Sequence, residues 1–572
     1  MSARGRAFAR GAMLDALRSS TEPFDVLVIG GGITGVGVAL DAASRGLRTA
    51  LVERDDFASG TSSKSSKMVH GGLRYLQNGD VRLVYEALRE RRRLMRNAPH
   101  LVDVLPFMIP ILTRDGVVSK KVAKALGSAM WMYDLTGGWR IGKLHRRVSG
   151  DEAARHFPTT HLDKLSAGYL YYDAGADDAR LTLTIARTAA EHGAVVVNRC
   201  GVVDITSDAE GRADGAIVEA DGERITVRAR CVVNAAGVWA DQVRALDEGA
   251  DPGSIRPAKG VHVTIPWEKV RNDIAVIIPV RSDKRSLFLV PWGELPDGTF
   301  RHVYVGTTDT DSNEPLDDPQ CTADDIDYVL TALNEALTET VTSDDITGVW
   351  AGMRPLVKAA SADGDAKTAD LSRRHQVAVS DSGVVRINGG KLTTYREMAE
   401  HTVDVVAERL GAPRSARRSR TRRLALFGAR KRPEAPAGSV EAHLVGRFGT
   451  EADQVRALIA FDPTLAEPLV PGQPYLRAEA VYAARHEMVT TLDDVLVRRT
   501  RAHLFDRRAS EAAAPAVAEL LAGELGWSGE ETARQLDHYR ALCAAEDAAA
   551  RRHLAHRSND DATHAELANA TD

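Results

Sequence analysis

Four consecutive apolar residues, Val26 to Ile29, run into Gly30-Gly31-Gly32-Ile33-Thr34-Gly35 and then into a stretch with Val36, Leu40 and Ala43 on one face. A short unbroken apolar run predicts a buried parallel strand, and the three-to-four spacing predicts a helix. Gly46 ends that helix, and Thr49 to Val52 form a second strand closing on Glu53. Similar patterns recur downstream. A helix is expected from about Asp80 to Asn97, with Leu83, Ala87, Leu88, Leu94 and Met95 inward, and a strand from Val104 to Leu112. Asp177 or Asp178 caps another helix, with Leu181, Ile185 and Ala189 inward and Gly193 as its terminator. Ala194 to Asn198 and a meander with turns at Asp214-Gly215 and Asp221-Gly222 lead to a buried strand at Cys231 to Ala235.

Residues 255–350 alternate β-rich pieces with Pro, Gly and Asp turns, as a mostly antiparallel sheet does, and 384–410 return to strand, turn and helix. Helical periodicity resumes near 440–460, 476–488 and 509–548. The expected architecture is an α/β core with an inserted sheet domain and an α-helical C-terminal domain. Its boundaries read as follows: an N-terminal extension over 1–20; a cofactor domain from 21–100 with 180–255 and 345–411; a substrate and membrane-facing domain from 101–179 with 256–344; a linker rich in Arg, Pro and Gly over 412–437; a helical domain over 438–550; and a disordered tail over 551–572.

The first glycine turn carries chemistry. Gly30 permits a tight turn, Gly32 lets backbone approach a pyrophosphate, and Gly35 lets the helix lie close on the sheet. Amide groups at the helix start then face the phosphates. Glu53, 23 residues after Gly30, can accept hydrogen bonds from a ribose. Val232 to Trp239 ends a strand in small residues, where Ala236 and Gly237 either crowd a ligand or simply make a tight turn. The run Arg386 to Arg396 places Gly389-Gly390-Lys391 between a strand and a helix. A lysine there opposes the helix dipole by roughly 0.3–1 kcal/mol, a cost offset if an anion sits beside it.

The 572 residues carry a net charge of -5, which gives no global pull toward nucleic acid. Cys200, Cys231, Cys321 and Cys543 form no C-x-x-C, so a disulfide framework, a zinc site and an iron–sulfur cluster are not expected. Residues 1–23 hold Arg4, Arg6, Arg10 and Arg18 but no apolar core of signal-peptide length, and no run of about 18 apolar residues occurs. A cytoplasmic enzyme is expected.

Ile29 to Gly32 with Gly35, Gly37, Ala39, Asp41 and Arg45-Gly46 resembles the first signature of the FAD-dependent glycerol-3-phosphate dehydrogenases. Gly389-Gly390-Lys391, Tyr395-Arg396 and Ala399 resemble the second. His70 to Leu76, Lys259 to His262, Tyr304 to Asp309 and Trp350 to Leu356 match further family motifs in order, and Asp493 to Arg501 resembles the family's C-terminal segment. The resemblance implies an FAD-binding Rossmann-like domain of the D-amino-acid-oxidase/glutathione-reductase type. It also implies oxidation of sn-glycerol 3-phosphate to dihydroxyacetone phosphate by hydride transfer to flavin N5, with electrons passed to membrane quinone. Non-covalent FAD is expected on Gly30, Gly31, Gly32, Ile33, Thr34, Gly35, Glu53, Arg54, Ser62, Ser63, His70, Gly71, Gly72, Ala236, Gly237, Gly390, Lys391, Leu392 and Thr393.

A dianionic substrate needs fixed cations and donors, and the planar fork of arginine suits phosphate. Arg74 and Arg354 stand among glycines, prolines and aromatics, and with Lys391, Tyr75 and Thr393 they are the expected substrate ligands. A base must take the hydroxyl proton; His70, His262 and deprotonated Lys391 are the candidates. No metal is expected. Between Arg114 and Arg147, eight basic residues face two acidic ones, and Met130, Trp131, Met132 and Trp139 are interleaved. That composition suits reversible attachment to the inner-leaflet lipid surface, at about 1 kcal/mol per basic residue. Arg414 to Arg432 adds nine basic residues and no acid. The protein is thus expected at the cytoplasmic face of the cell membrane, with a homodimer left open. An oxygen-using glycerol-3-phosphate oxidase and an amino-acid-oxidase-type flavoenzyme are the alternatives.

Overall fold

The computed structural model describes residues 8–72, 80–112, 120–280, 285–312, 314–357, 374–431 and 435–551. Arg74 and Tyr75, Arg114 and Asp115, Arg432 and almost all of the expected tail lie outside the described residues.

The strand Val26–Ile29 sits in the middle of a six-stranded sheet. It pairs in parallel with Thr49–Val52 on one side and Val232–Asn234 on the other. The sheet continues through Val195–Val197 at one edge and through Val385–Asn388 and Gln376–Val379 at the other. All four residues of each of the first two strands are buried, as expected of a sheet with helices on its faces. The helices Ile33–Ser44, Asp178–Glu191 and Tyr395–Arg409 share one large core with it.

Two helices start on an aspartate cap, of which the one at Asp177 is expected from the sequence. Asp80 accepts from the Leu83 amide ahead of the helix Val81–Asn97, and Asp177 accepts from Arg180 ahead of Asp178–Glu191. Asp221 and Gly222 both have positive φ and make the two-residue hairpin turn. Asp214-Gly215 does not turn: it lies inside the strand Ala213–Ala220. A Cβ on Gly215 would stand 2.2 Å from the Val227 carbonyl oxygen, so this glycine serves the close approach of the neighbouring strand.

The second sheet is built mainly from antiparallel pairs, with Ala275–Pro279 parallel to Asp103–Leu112. The strand Gly348–Val357 belongs to it, pairing with Ile255–Pro266 from Ile255 against Val357 to Thr264 against Gly348. It therefore leaves the cofactor domain in which the boundary at 345 placed it. The N-terminal extension is also ordered in part: the helix Arg10–Arg18 buries Met13, Leu14 and Leu17. The connecting segment is strapped to the cofactor domain. Ser419 and Thr421 donate to Asp41, Arg422 pairs with Glu400 at 2.6 Å, and Ala412, Ala416 and Leu426 are buried.

The helical domain is attached to the rest through buried ions. Asp56 receives Arg498 at 2.8 Å and Arg499 at 2.6 Å, while Arg180 and Arg187 meet Glu487. Arg501 donates to both Asp178 and the Ser63 carbonyl. Removing one member of such a buried set costs about 3–5 kcal/mol, because the other charge is stranded.

Candidate active site

Both sheets open onto one cavity of ≈ 790 Å³. One end is the glycine turn. Gly32 is the N-cap of the helix Ile33–Ser44, supplies no capping side chain, and no acidic residue occupies the first turn. The helix start thus keeps positive character for an anion. Two glycines are sterically fixed: a Cβ on Gly30 would lie 2.7 Å from the Ala235 carbonyl oxygen, and one on Gly35 only 1.9 Å from the Gly30 carbonyl oxygen. Ser62 Oγ accepts from the Ile33 amide at 2.9 Å, tying the loop 59–72 to the turn.

Glu53 accepts from the Gly31 amide at 2.6 Å and the Asp55 amide at 2.8 Å. Burial pushes its carboxyl up to about 7 against those two bonds, and Asp55 and Asp56 add to the rise. A pair of ribose hydroxyls donating to it would favour the ionised form and offset this. Arg54 lies at the same end, pairs with Asp317 at 2.6 Å and stacks over Trp239. Backbone clearance, an open helix start and a carboxylate acceptor in register fit a flavin adenine dinucleotide.

Of the expected cofactor residues, Gly30, Gly32, Ile33, Thr34, Glu53, Arg54, Ser62, His70, Gly72, Ala236, Gly237, Gly390, Lys391, Leu392 and Thr393 line the cavity. Gly31, Gly35, Ser63 and Gly71 are not among the lining residues. Gly31 passes over Glu53, Gly35 receives the turn, the Ser63 carbonyl faces Arg501, and the Gly71 amide donates to Tyr133 and Asp173. They shape the site from behind.

The same cavity is also lined by His70, His262, Arg354, Lys391 and Thr393, drawn from four separate segments. Thr393 Oγ1 accepts from the His70 amide at 3.1 Å and so joins the first and second glycine motifs. Lys391 is the N-cap of the short turn Leu392–Thr394 that leads into Tyr395–Arg409. Arg354 is held by Asp309 at 3.0 Å, Thr307 Oγ1 at 2.9 Å and the Thr308 carbonyl at 3.0 Å. Gly260 makes room for it, since a Cβ there would meet Arg354 Nη2 at 2.4 Å.

His262 is buried, and its Nε2 lies 2.9 Å from Ser66 Oγ. Burial first, then the charges of Lys67 and Arg354, hold it well below the usual imidazole range. Sequence reasoning missed Lys64, Ser66, Thr307, Asp309 and Arg285, all of which line the cavity. Arg285 donates to the Asp309 carbonyl at 2.8 Å, placing a further cation near Arg354. The serine- and lysine-rich loop is recognisable as polar, but nothing local distinguishes Ser66 from its neighbours. Among the described residues, no group of three or more His, Cys, Asp or Glu side chains could hold a metal ion.

Residues 25–396 match the family model described as FAD dependent oxidoreductase, and 419–532 match the C-terminal domain of alpha-glycerophosphate oxidase. The chain is 41% identical over 545 residues to glycerol-3-phosphate dehydrogenase 2 of Mycobacterium tuberculosis, covering 92% of this chain and 89% of that protein. It is 37% identical over 553 residues to the mitochondrial glycerol-3-phosphate dehydrogenase of Mus musculus, covering 91% and 73%. The crystal structure of glycerol-3-phosphate dehydrogenase from Bacillus halodurans complexed with FAD superposes with a TM-score of 0.73 at 30% identity, covering 94% of this chain and 97% of that one.

Proposed function

Because the chain belongs to the FAD-dependent glycerol-3-phosphate dehydrogenase family, we propose that it oxidises sn-glycerol 3-phosphate to dihydroxyacetone phosphate and passes the electrons to a membrane quinone. The observation that carries this reading is that Arg354, Arg285, Lys391 and two histidines line the same cavity as the glycine turn. Bound FAD supplies the hydride acceptor, at its N5. The protein supplies the rest. Arg354 and Lys391 hold the phosphate, with Thr393 as a donor; Arg74 and Tyr75 join them on the strength of their motif alone. Arg354 is already oriented by Asp309, so its fork is set before substrate arrives. His262 takes the hydroxyl proton, since its buried ring is uncharged at neutral pH. His70 and Lys391 are the rival acceptors.

Anaerobic addition of glycerol 3-phosphate to the purified holoenzyme should bleach the visible flavin band, and a soluble quinone should restore it faster than oxygen. Absence of bleaching would overturn the substrate assignment. Faster recovery with oxygen would instead make the protein an oxidase.

We also propose peripheral attachment to the cytoplasmic face of the membrane. The helix Lys120–Thr136 and the turn after it leave Trp131 58% and Leu135 76% exposed, together with Met132, Trp139 and Leu144. Arg140 and Lys143 accompany them, over the rings of Tyr85 and Tyr172. No helix among the described residues is long and apolar enough to cross a membrane. Inserting two large apolar side chains is worth about 3–6 kcal/mol in full. The double variant Trp131→Ser/Leu135→Ser should therefore lose at least about tenfold in affinity for anionic vesicles, read by co-sedimentation. Unchanged binding would remove this helix from the interface.

A further inference from the structure

His262 occupies a slot that fixes its plane. It stands opposite Trp350 on the adjacent strand and stacks on that indole at 4.8 Å and 9°. Its Cδ2 edge faces Gly306, where a Cβ would come within 2.3 Å. Its Nε2 meets Ser66 Oγ, and its Nδ1 has no hydrogen-bond partner among the described residues.

The loop that delivers Ser66 is itself braced from three directions. Tyr304 donates to the Ser66 carbonyl at 3.0 Å and Trp350 to the Ser65 carbonyl at 3.2 Å. Asp178 accepts from the Ser65 amide at 2.9 Å and its hydroxyl at 2.7 Å. Arg501, from the helical domain, holds both Asp178 and the Ser63 carbonyl. The next residue, Lys67, is buried with its Nζ 3.4 Å from Asp178 and 4.4 Å from the centre of the Trp350 ring. Neither Ser66 nor Lys67 has a part in the phosphate clamp or the glycine turn.

We propose that Ser66 and Lys67 are positioning residues for proton acceptance by His262: Ser66 fixes the imidazole tautomer, and the Lys67 ammonium keeps the ring uncharged before each turnover. This rests on His262 being the base. The charges that face His262 are Lys67 and Arg354, and both act in the same direction on its imidazolium. Those that face Lys67 are Arg501, Asp178 and Asp177. Burial and the Arg501 charge bring the Lys67 ammonium down to about 8, still charged at neutral pH. Once His262 has taken a proton, the same repulsion favours its release. The helical domain thus acts on proton transfer through Arg501, Asp178 and Lys67 in series.

The test is the rate of anaerobic flavin bleaching at saturating glycerol 3-phosphate, followed from pH 4 to 9 in holoenzyme. Substrate phosphate ionises near about 6 in every variant, so only differences between variants count. Lys67→Met should move the acid limb of the rate upward by about one pH unit, and Lys67→Arg should return it to the wild-type position. Ser66→Ala should lower the rate about tenfold at all pH values without moving the limb. Lys67→Gln replaces Lys67→Met if the latter does not retain FAD. His262→Asn separates the two ideas. If it bleaches at the wild-type rate across the range, His262 is not the base. If it loses most of that rate while the neutral Lys67 variants leave the limb in place, His262 stands and the role of Lys67 is overturned.

Discussion

Gly35→Ala is expected to yield protein without flavin. The added Cβ would fall 1.9 Å from the Gly30 carbonyl oxygen. Neither group can rotate away, because both are backbone: one belongs to the turn after the central strand and the other to the first turn of Ile33–Ser44. The helix must lift from the sheet, and the amides that face the cavity lift with it. Overpacking of this kind costs about 1–3 kcal/mol even where side chains can give, and more where they cannot. The ratio of visible flavin absorbance to protein absorbance after purification checks this, beside a thermal melt. Gly11→Ala is the matched control, since a Cβ there meets nothing within 4 Å. Wild-type flavin content in the Gly35 variant would show that the turn is not the pyrophosphate seat.

Arg354→Met should raise KM for glycerol 3-phosphate by about 10²-fold or more, with FAD retained. Removing a charge-assisted hydrogen bond from a desolvated site costs about 2–5 kcal/mol. The substitution also takes one ion pair from Asp309, which is only 7% exposed, so a stability loss would accompany the catalytic one. Adding Asp309→Asn removes the carboxylate that this pair served. The double variant should melt closer to wild type while its KM stays high. Should KM recover along with stability, the arginine is a structural ion-pair partner and the phosphate is held elsewhere.

How much of this can be read from the chain follows the range of the interactions. The glycine turn, the cap at Asp177 and the turn at Asp221-Gly222 depend on neighbours within a few positions, and the sequence shows them directly. Asp214-Gly215 carries the same local signal, yet strand pairing overrides it; the chain turns instead at Asp208 to Gly211, where Asp208 accepts from the Glu210 and Arg212 amides. The run 412–437 reads as a solvated linker because its arginines dominate the composition. Its alanines and leucines, spaced among them, decide where it packs. The motifs holding Arg354 and Lys391 are visible as motifs, but the Asp309 clamp and Arg285 are not, because no local pattern encodes a meeting of three separate segments. Ser66, Lys67 and Arg501 lie furthest out of reach. Their significance exists only once residues hundreds of positions apart have met.

The bond between the Ser63 carbonyl and Arg501 spans 438 positions, and this has a consequence for how the protein is made. A ribosome delivers the N-terminal part first, so the glycine turn and its loop emerge long before the arginine that braces them. The loop gains this brace only after residue 501 has emerged. A prematurely terminated product ending before Arg501 would carry the whole glycine turn and still lack its brace. Any cofactor loading that depends on this brace must follow the synthesis of Arg501.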